Sequence, residues 1–223
     1  MSISDGIISC WDAGGKRSYP GTGTTWYDVV GGANGTITNN GGDTIDFVDE
    51  KGGYLDFDGT DDYVACSQPN YDTTGDWSWC MWLNRITPGN ASGTNVLLGY
   101  GQSGGTRVFW YSSGSDVKMG FYSQDGRVAI NSNPTVTTRF PANEWSMFAL
   151  KREGNTAYFC INADEWTELS KNWASHEFIW RDIGKGSSYY GHGYIASVHI
   201  YNRGISLDEA KQLYYMQKSR FED

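Results

Sequence analysis

GYIASVHIYNRGISLDEAKQLYYMQKSRF, from Gly193 to Phe221, holds the two signals that decide the fold. Its first part alternates. Ala196, Val198 and Ile200 fall on one face and Ser197, His199 and Tyr201 on the other, the period of a half-buried strand. Its second part opens with Ser206-Leu207-Asp208-Glu209. The Ser206 side chain is placed to accept a free amide of the first helical turn, and Glu209 to reach back to the Ser206 amide, which is a capping box. Leu207, Ala210, Leu213, Tyr214 and Gln217 follow at helical spacing, predicting a helix over Leu207 to about Lys218. A strand that runs straight into one capped helix predicts a β protein closed by a single helix.

Upstream, short alternating runs recur between turn dipeptides. Asp5-Gly6, Asn34-Gly35, Asn40-Gly41, Asp58-Gly59 and Asp125-Gly126 all suit a backbone with positive φ. Trp77, Trp79, Met81 and Leu83 share one face of a run whose other face carries Ser78, Cys80, Trp82 and Asn84. Trp145, Met147 and Ala149 alternate with Phe148 and Leu150, and Ala157, Phe159 and Ile161 with Tyr158 and Cys160. Many short strands at near-regular spacing predict an all-β, two-sheet antiparallel sandwich. Length and the lack of a linker or repeat place residues 1–223 in a single domain. The runs around Trp79–Leu83 and Phe148–Leu150 are apolar on both faces, so the second face needs a cover: the chain's own loops, a neighbouring subunit or a ligand.

Three stretches carry a resemblance. The opening segment Cys10 to Asn39 holds Trp26-Tyr27-Asp28 and Asn34-Gly35-Thr36. YLDFDGTDDYVAC runs from Tyr54 to Cys66. The third is the closing strand and helix, and between them lies the hairpin Glu144 to Asn162. Together they resemble the laminin G-like, concanavalin A-like jelly roll in the form found in bacteriophage virion structural proteins. The resemblance implies a jelly-roll sandwich. It also implies a non-enzymatic virion protein, decorating a capsid or tail. It would be assembled in the host cytoplasm without a signal peptide, would contact other virion proteins, would form a homo-oligomer and could bind host-surface glycans. Two rivals stand beside this expectation: a carbohydrate-binding lectin or adhesin domain, and a glycan depolymerase.

Composition narrows the classes. The formal net charge is −9, with no basic stretch, which argues against nucleic-acid binding. The N-terminus has neither the basic region nor the apolar run of a leader, and no run reaches the roughly 20 apolar residues of a membrane helix. Cys10, Cys66, Cys80 and Cys160 lack metal spacing and read as small buried hydrophobes.

Several motifs resemble chemistry without its context. Gly99 to Gly105 fits both G-x-G-x-x-G and G-x-S-x-G, but the β-branched and aromatic run from Thr106 to Tyr111 follows it where a helix is required. His176, His192 and His199 show no triad or metal pattern. A laminarinase-like glycanase would need flanking carboxylates, and Asp56-Phe57-Asp58 is the nearest pair. It lies in a turn signature where Asp58 and Asp62 have capping roles. Calcium takes six to eight oxygens; Asp58, Asp61 and Asp62 are the candidate ligands, Asp43, Asp46, Asp49 and Glu50 form a second acidic cluster, neither fits the EF-hand pattern, and no other cofactor is indicated. Sugars stack on aromatic rings beside polar groups, which makes Trp110, Tyr111, Trp173, Tyr189 and Tyr190 the candidate carbohydrate contacts.

Overall fold

Alternating strands pair into two antiparallel eight-stranded sheets and one small hairpin. The computed structural model describes residues 2–38, 45–67, 75–86, 94–99, 107–113, 116–123, 126–130, 140–169 and 180–222. The first sheet runs β14 (Thr167–Leu169), β13 (Thr156–Ile161), β12 (Trp145–Glu153), β7 (Trp77–Arg85), β18 (His192–Tyr201), β5 (Tyr54–Asp58), β4 (Asp46–Val48), with β1 (Ile7–Asp12) also on β18. The second runs β11 (Gly126–Ile130), β10 (Asp116–Ser123), β9 (Arg107–Ser113), β8 (Thr94–Gly99), β15 (Asp182–Ile183), β6 (Tyr63–Cys66), β3 (Gly35–Thr38), β2 (Thr25–Trp26). β16 (Lys185–Gly186) and β17 (Tyr189–Tyr190) form the hairpin. The expected sandwich with one C-terminal helix is what is found. β8 and β9 pair antiparallel, so the glycine-rich motif after Gly99 joins two strands rather than a strand and a helix.

The main core lies between the sheets. Trp11, Trp26, Phe57, Trp79, Phe148 and Trp180 are among its fully enclosed side chains. The opening segment folds around Asp28, whose carboxylate accepts the amides of Cys10, Val30, Gly31 and Ala33, while Asn34 accepts the Asp28 amide. That explains the Trp-Tyr-Asp and Asn-Gly elements physically: one buried acid fixes a tight loop against β1.

The outer face of the first sheet carries a second core. Tyr54, Cys80, Trp82, Met147, Ala149, Cys160 and Tyr201 pack there under Ala210 and Leu213 of α1 (Leu207–Lys218). The chain covers its own second face with this helix. The capping box forms as expected: Ser206 Oγ accepts the Glu209 amide at 3.2 Å, and Glu209 accepts the Ser206 amide at 2.8 Å. Glu209 also takes two bonds from the Arg203 guanidinium, at 2.6 and 2.9 Å.

Two expectations for β18 need correction. The strand is buried on both faces rather than half-buried, because α1 lies on the outer one. Ala196 does not share a face with Val198 and Ile200. A register shift against β7 between Ile195 and Ser197 places Ile195, Val198 and Ile200 in the main core and Ala196 in the outer cluster. An extra residue in a ladder resets alternation in this way. Ser197, His199 and Tyr201 do face outward, where the Ser197 hydroxyl donates to Gln217 Oε1 at 2.7 Å. None of the four cysteines is in a disulfide, and Cys66, Cys80 and Cys160 are buried and Cys10 partly so. Among the described residues no helix is long and apolar enough to cross a membrane.

Candidate functional site

Beside the residues packed under α1, the strand registers align one row on the outer face of the first sheet: Asp46 on β4 opposes Asp56 on β5, Asp56 opposes Tyr194 on β18, Tyr194 opposes Asn84 on β7, and Asn84 opposes Trp145 on β12. Directly opposed residues point to the same face. Five strands about 4.8 Å apart make this row roughly 19 Å long. The row thus reads acid, acid, ring, amide, ring across five hydrogen-bonded strands, a rigid base for a ligand.

A cleft of about 550 Å³ opens over the acidic end of the row, lined by Asp46, Asp56, Asp58, Asp62, Ile86, His192 and Tyr194. Two sheet-crossing connections form its rim. The turn after β5 leads from the first sheet to β6 in the second, and the β16–β17 hairpin leads from β15 back to β18. They touch closely. A Cβ on Gly59, which has φ of +79°, would lie 2.7 Å from His192 Cβ, and one on Gly184 would lie 2.7 Å from the Phe57 ring. Glycine is required at both positions. A smaller cleft of about 250 Å³ borders Trp145, with Glu144, Asn162 and Asp164 in its wall.

The carboxylates differ in environment. Asp58 Oδ1 accepts the amides of Thr60 at 2.7 Å and Asp61 at 3.3 Å. Burial works to raise its pKa, but these bonds prevail and hold it below the usual range. Asp62 Oδ2 accepts the Asp58 amide at 2.9 Å. Its side chain is nearly enclosed, and Oδ1 has no hydrogen-bond partner. Burial first, then the neighbouring acids, push it up to about 6 against that one bond. Asp56 is also raised, by burial, with Asp46 and Asp58 adding to the effect and His192 opposing it. The capping roles expected for Asp58 and Asp62 are thus present.

Asp58, Asp61 and Asp62 place carboxylate oxygens within 4.8 Å of one another. These residues fit a hard cation in kind, and the partnerless Asp62 Oδ1 leaves a ligand atom in place. They would hold a Ca²⁺ as part of its shell, and the rest of the six to eight oxygens would come from elsewhere.

The aromatic expectations divide. Trp110 is corrected: it is 2% exposed, in the inter-sheet core beside Phe140, so neither ring face reaches solvent. The Tyr111 side chain and all of Trp173 lie outside the described residues. Tyr189 is 40% exposed on the rim hairpin. Tyr190 is half-buried, and it and Tyr63 flank the Lys185 ammonium, which lies 3.7 Å from the Tyr63 ring centroid and 5.3 Å from that of Tyr190. His199, expected on the outer face, is there but sealed under α1.

Sequence reading missed Tyr194 and Trp145. Trp145 stacks with Phe221 at 4.5 Å and meets Tyr54 edge-on at 5.2 Å, and Tyr54 meets Tyr194 at 4.8 Å. Phe221 also stacks on Trp82 at 4.5 Å. This cluster joins the residues packed under α1 to the row.

A family profile described as concanavalin A-like lectin/glucanases superfamily matches residues 58–211. No curated protein sequence matches the chain. Solved structures share its fold at low identity. The binding domain of botulinum neurotoxin DC, in complex with SialylT, superposes with a TM-score of 0.68 at 12% identity, covering 97% of this chain and 52% of that one. Domain 4 of AbnA, a GH43 extracellular arabinanase from Geobacillus stearothermophilus, in complex with arabinotriose, gives 0.63 at 16% identity, covering 93% and 98%. A Trypanosoma rangeli sialidase in complex with the inhibitor DANA gives 0.66 at 13% identity, covering 98% of this chain. The chain spans 34% of that sialidase's length.

Proposed function

The chain belongs to the concanavalin A-like lectin/glucanases superfamily, and from that premise we propose that it is a non-enzymatic glycan-binding protein of a bacteriophage particle. Saccharide lies on the first sheet's outer face, beside the residues packed under α1. The cross-strand row Asp46, Asp56, Tyr194, Asn84 and Trp145 carries this reading. Its rings offer stacking surface for the apolar faces of sugars, and its carboxylates take hydroxyls, the pairing of apolar body and placed polar groups that ligand sites use. Solved structures of the same fold include an arabinanase domain with arabinotriose and a toxin domain with SialylT, which supports glycan as the ligand class. The particle setting rests on the resemblance of the opening segment, the Tyr54–Cys66 stretch and the closing strand and helix to phage virion proteins. In that setting the chain is an oligomeric surface component assembled in the host cytoplasm.

A glycan array tests the binding role. Trp145→Ala and Tyr194→Ala each remove one stacking surface and are expected to weaken saccharide binding by about 2 kcal/mol, roughly thirtyfold. Saturable binding unchanged in both variants would refute the row as the site. Copy number of the chain in purified particles tests the setting.

One observation favours the depolymerase reading: Asp56 and Asp58 are two residues apart on β5 with pKa values moved in opposite directions, the arrangement an acid and base pair needs. Reducing ends released from host polysaccharide, and lost in Asp56→Asn, would establish that reading in place of the one proposed.

A further inference from the structure

The charge inventory of the 550 Å³ cleft is one-sided. Four carboxylates line it, from Asp46, Asp56, Asp58 and Asp62, and His192 is the one basic side chain among the described lining residues. Two cations of the flanking elements are engaged elsewhere. Arg85 donates to the Phe140 carbonyl at 3.0 Å, and Lys185 sits over the Tyr63 ring. Residues 39–44 and 87–93, which adjoin β4 and β7 in sequence, contain no Lys or Arg.

One further observation concerns an acceptor without a donor. Asp62 lines the cleft and is 4% exposed, yet its Oδ1 has no partner. A buried acceptor left unpaired costs about 1–3 kcal/mol. The acidic wall is thus short of a donor. The cleft's volume exceeds what a bare ion occupies, since a water molecule's share of liquid volume is about 30 Å³, so the whole cleft suits an organic group.

We infer that the saccharide recognised here carries a protonated amine, as glucosamine-type units do, and that acidic sugars are excluded. An ammonium brings three donors and no acceptor. Between Asp56 and Asp46, with the Asp62 carboxylate in the same wall, it would supply donors and offset the like charges at once. A sugar carboxylate would meet four carboxylates with no guanidinium among the described lining residues to receive it, the repulsive element that specificity often uses. This inference rests on the glycan-binding reading above and names its ligand class.

The test titrates the full chain calorimetrically with a β-1,4-linked glucosamine tetramer, with the same tetramer N-acetylated, and with sialyllactose. A chelator is present so that no metal ion neutralises the acids. The glucosamine tetramer is expected to bind about tenfold or more tighter than the N-acetylated one at low salt. The margin should shrink as salt is added. Asp56→Asn is expected to bring the ratio near one. Asp46→Asn, on the exposed end of the row, serves the same purpose should Asp56→Asn fail to fold. Asp208→Asn, an exposed acid on α1, is expected to keep the ratio. A ratio lowered equally by Asp208→Asn would show attraction to net charge alone and overturn the inference. Equal affinity for both tetramers, or tighter binding of sialyllactose, would overturn it too while leaving the glycan-binding reading intact. No binding to these or to any arrayed glycan would overturn both.

Discussion

His199 should make the stability of this protein fall with acid in a window set chiefly by burial. It sits on the outer face of β18 under α1, flanked in register by Cys10 and Cys80. It is 7% exposed. Its Nδ1 has no partner, and its Nε2 lies 3.4 Å from Gln217 Nε2. Burial moves its pKa from 6.5 down to about 4, with Asp12 working against the shift and Arg220 with it. The unfolded chain therefore takes up the proton first as pH falls. Stability is fully present above about 6.5 and is lost through about 4. For a shift of this size the loss integrates to about 2 kcal/mol at pH 5 and about 3 kcal/mol at pH 4. Asp62 contributes with the opposite sign over much of the same range, because its raised pKa lets the folded state hold a proton longer. The informative quantity is therefore the difference between wild type and His199→Gln, in which the contributions of distant groups cancel. Urea unfolding followed by tryptophan fluorescence at pH 7, 6, 5 and 4 gives it. The variant is expected to be less stable at pH 7 through lost packing, and to gain about 3 kcal/mol relative to wild type by pH 4. Curves that stay parallel within about 0.5 kcal/mol would refute the assignment of His199 as a buried neutral base.

Glu209→Ala removes the reciprocal half of the capping box and the paired contact with Arg203. Arg203 is 20% exposed and keeps bonds to the Asp5 and Gly204 carbonyls, so the expected cost is about 2 kcal/mol. Calorimetry should show a Tm lower by about 4–8 °C. The Arg203 bonds, aided by Ser206 and opposed by burial, hold Glu209 down to about 2. Its contribution is therefore present above about pH 4.5 and lost as pH falls toward 2. Gly59→Ala forces a side chain into a left-handed position 2.7 Å from His192 Cβ. The expected loss is about 1–3 kcal/mol, with weaker saccharide binding because the cleft rim must move; denaturation and the glycan array together check both.

The sandwich and the capped helix were legible because their signals are local. Alternation over Trp77–Arg85 and the Ser206–Glu209 spacing each lie within ten residues. Even the outward direction of Asn84 followed from its place beside Ser78, Cys80 and Trp82, and the direction of Asp56 follows from alternation with the buried Leu55 and Phe57. The site was not legible, because its row joins residues 46, 56, 84, 145 and 194, and nothing short of strand register brings them together. Trp110 misled for a related reason. In a sheet whose strands carry rings on both faces, composition alone does not tell a core indole from an exposed one. The bulge at Ala196 was equally silent, since an alanine fits either face of the strand.

The closing helix covers one part of the sheet's outer face, and it also holds the wall of the row beside it in place. Phe221 lies just past α1 and stacks on both Trp82, under the helix, and Trp145, in the row. The turn that carries it is fixed by Arg220, whose guanidinium bonds both carboxylate oxygens of Asp12 at 3.0 and 3.1 Å and the carbonyls of Gly52 and Gly53 at 3.1 and 3.2 Å. Gly53 immediately precedes β5, the strand that presents Tyr54, Asp56 and Asp58. One side chain thus joins the end of the helix, the first strand and the approach to the acidic strand. A ligand stacked on Trp145 would press against a ring braced from behind rather than one free to turn. Pre-ordering of this kind spares the side-chain entropy that binding otherwise costs, about 0.5–1.5 kcal/mol for each immobilised group. On the proposed glycan-binding reading, the row is therefore better suited to a fixed arrangement of hydroxyls and amines than to adapting to many.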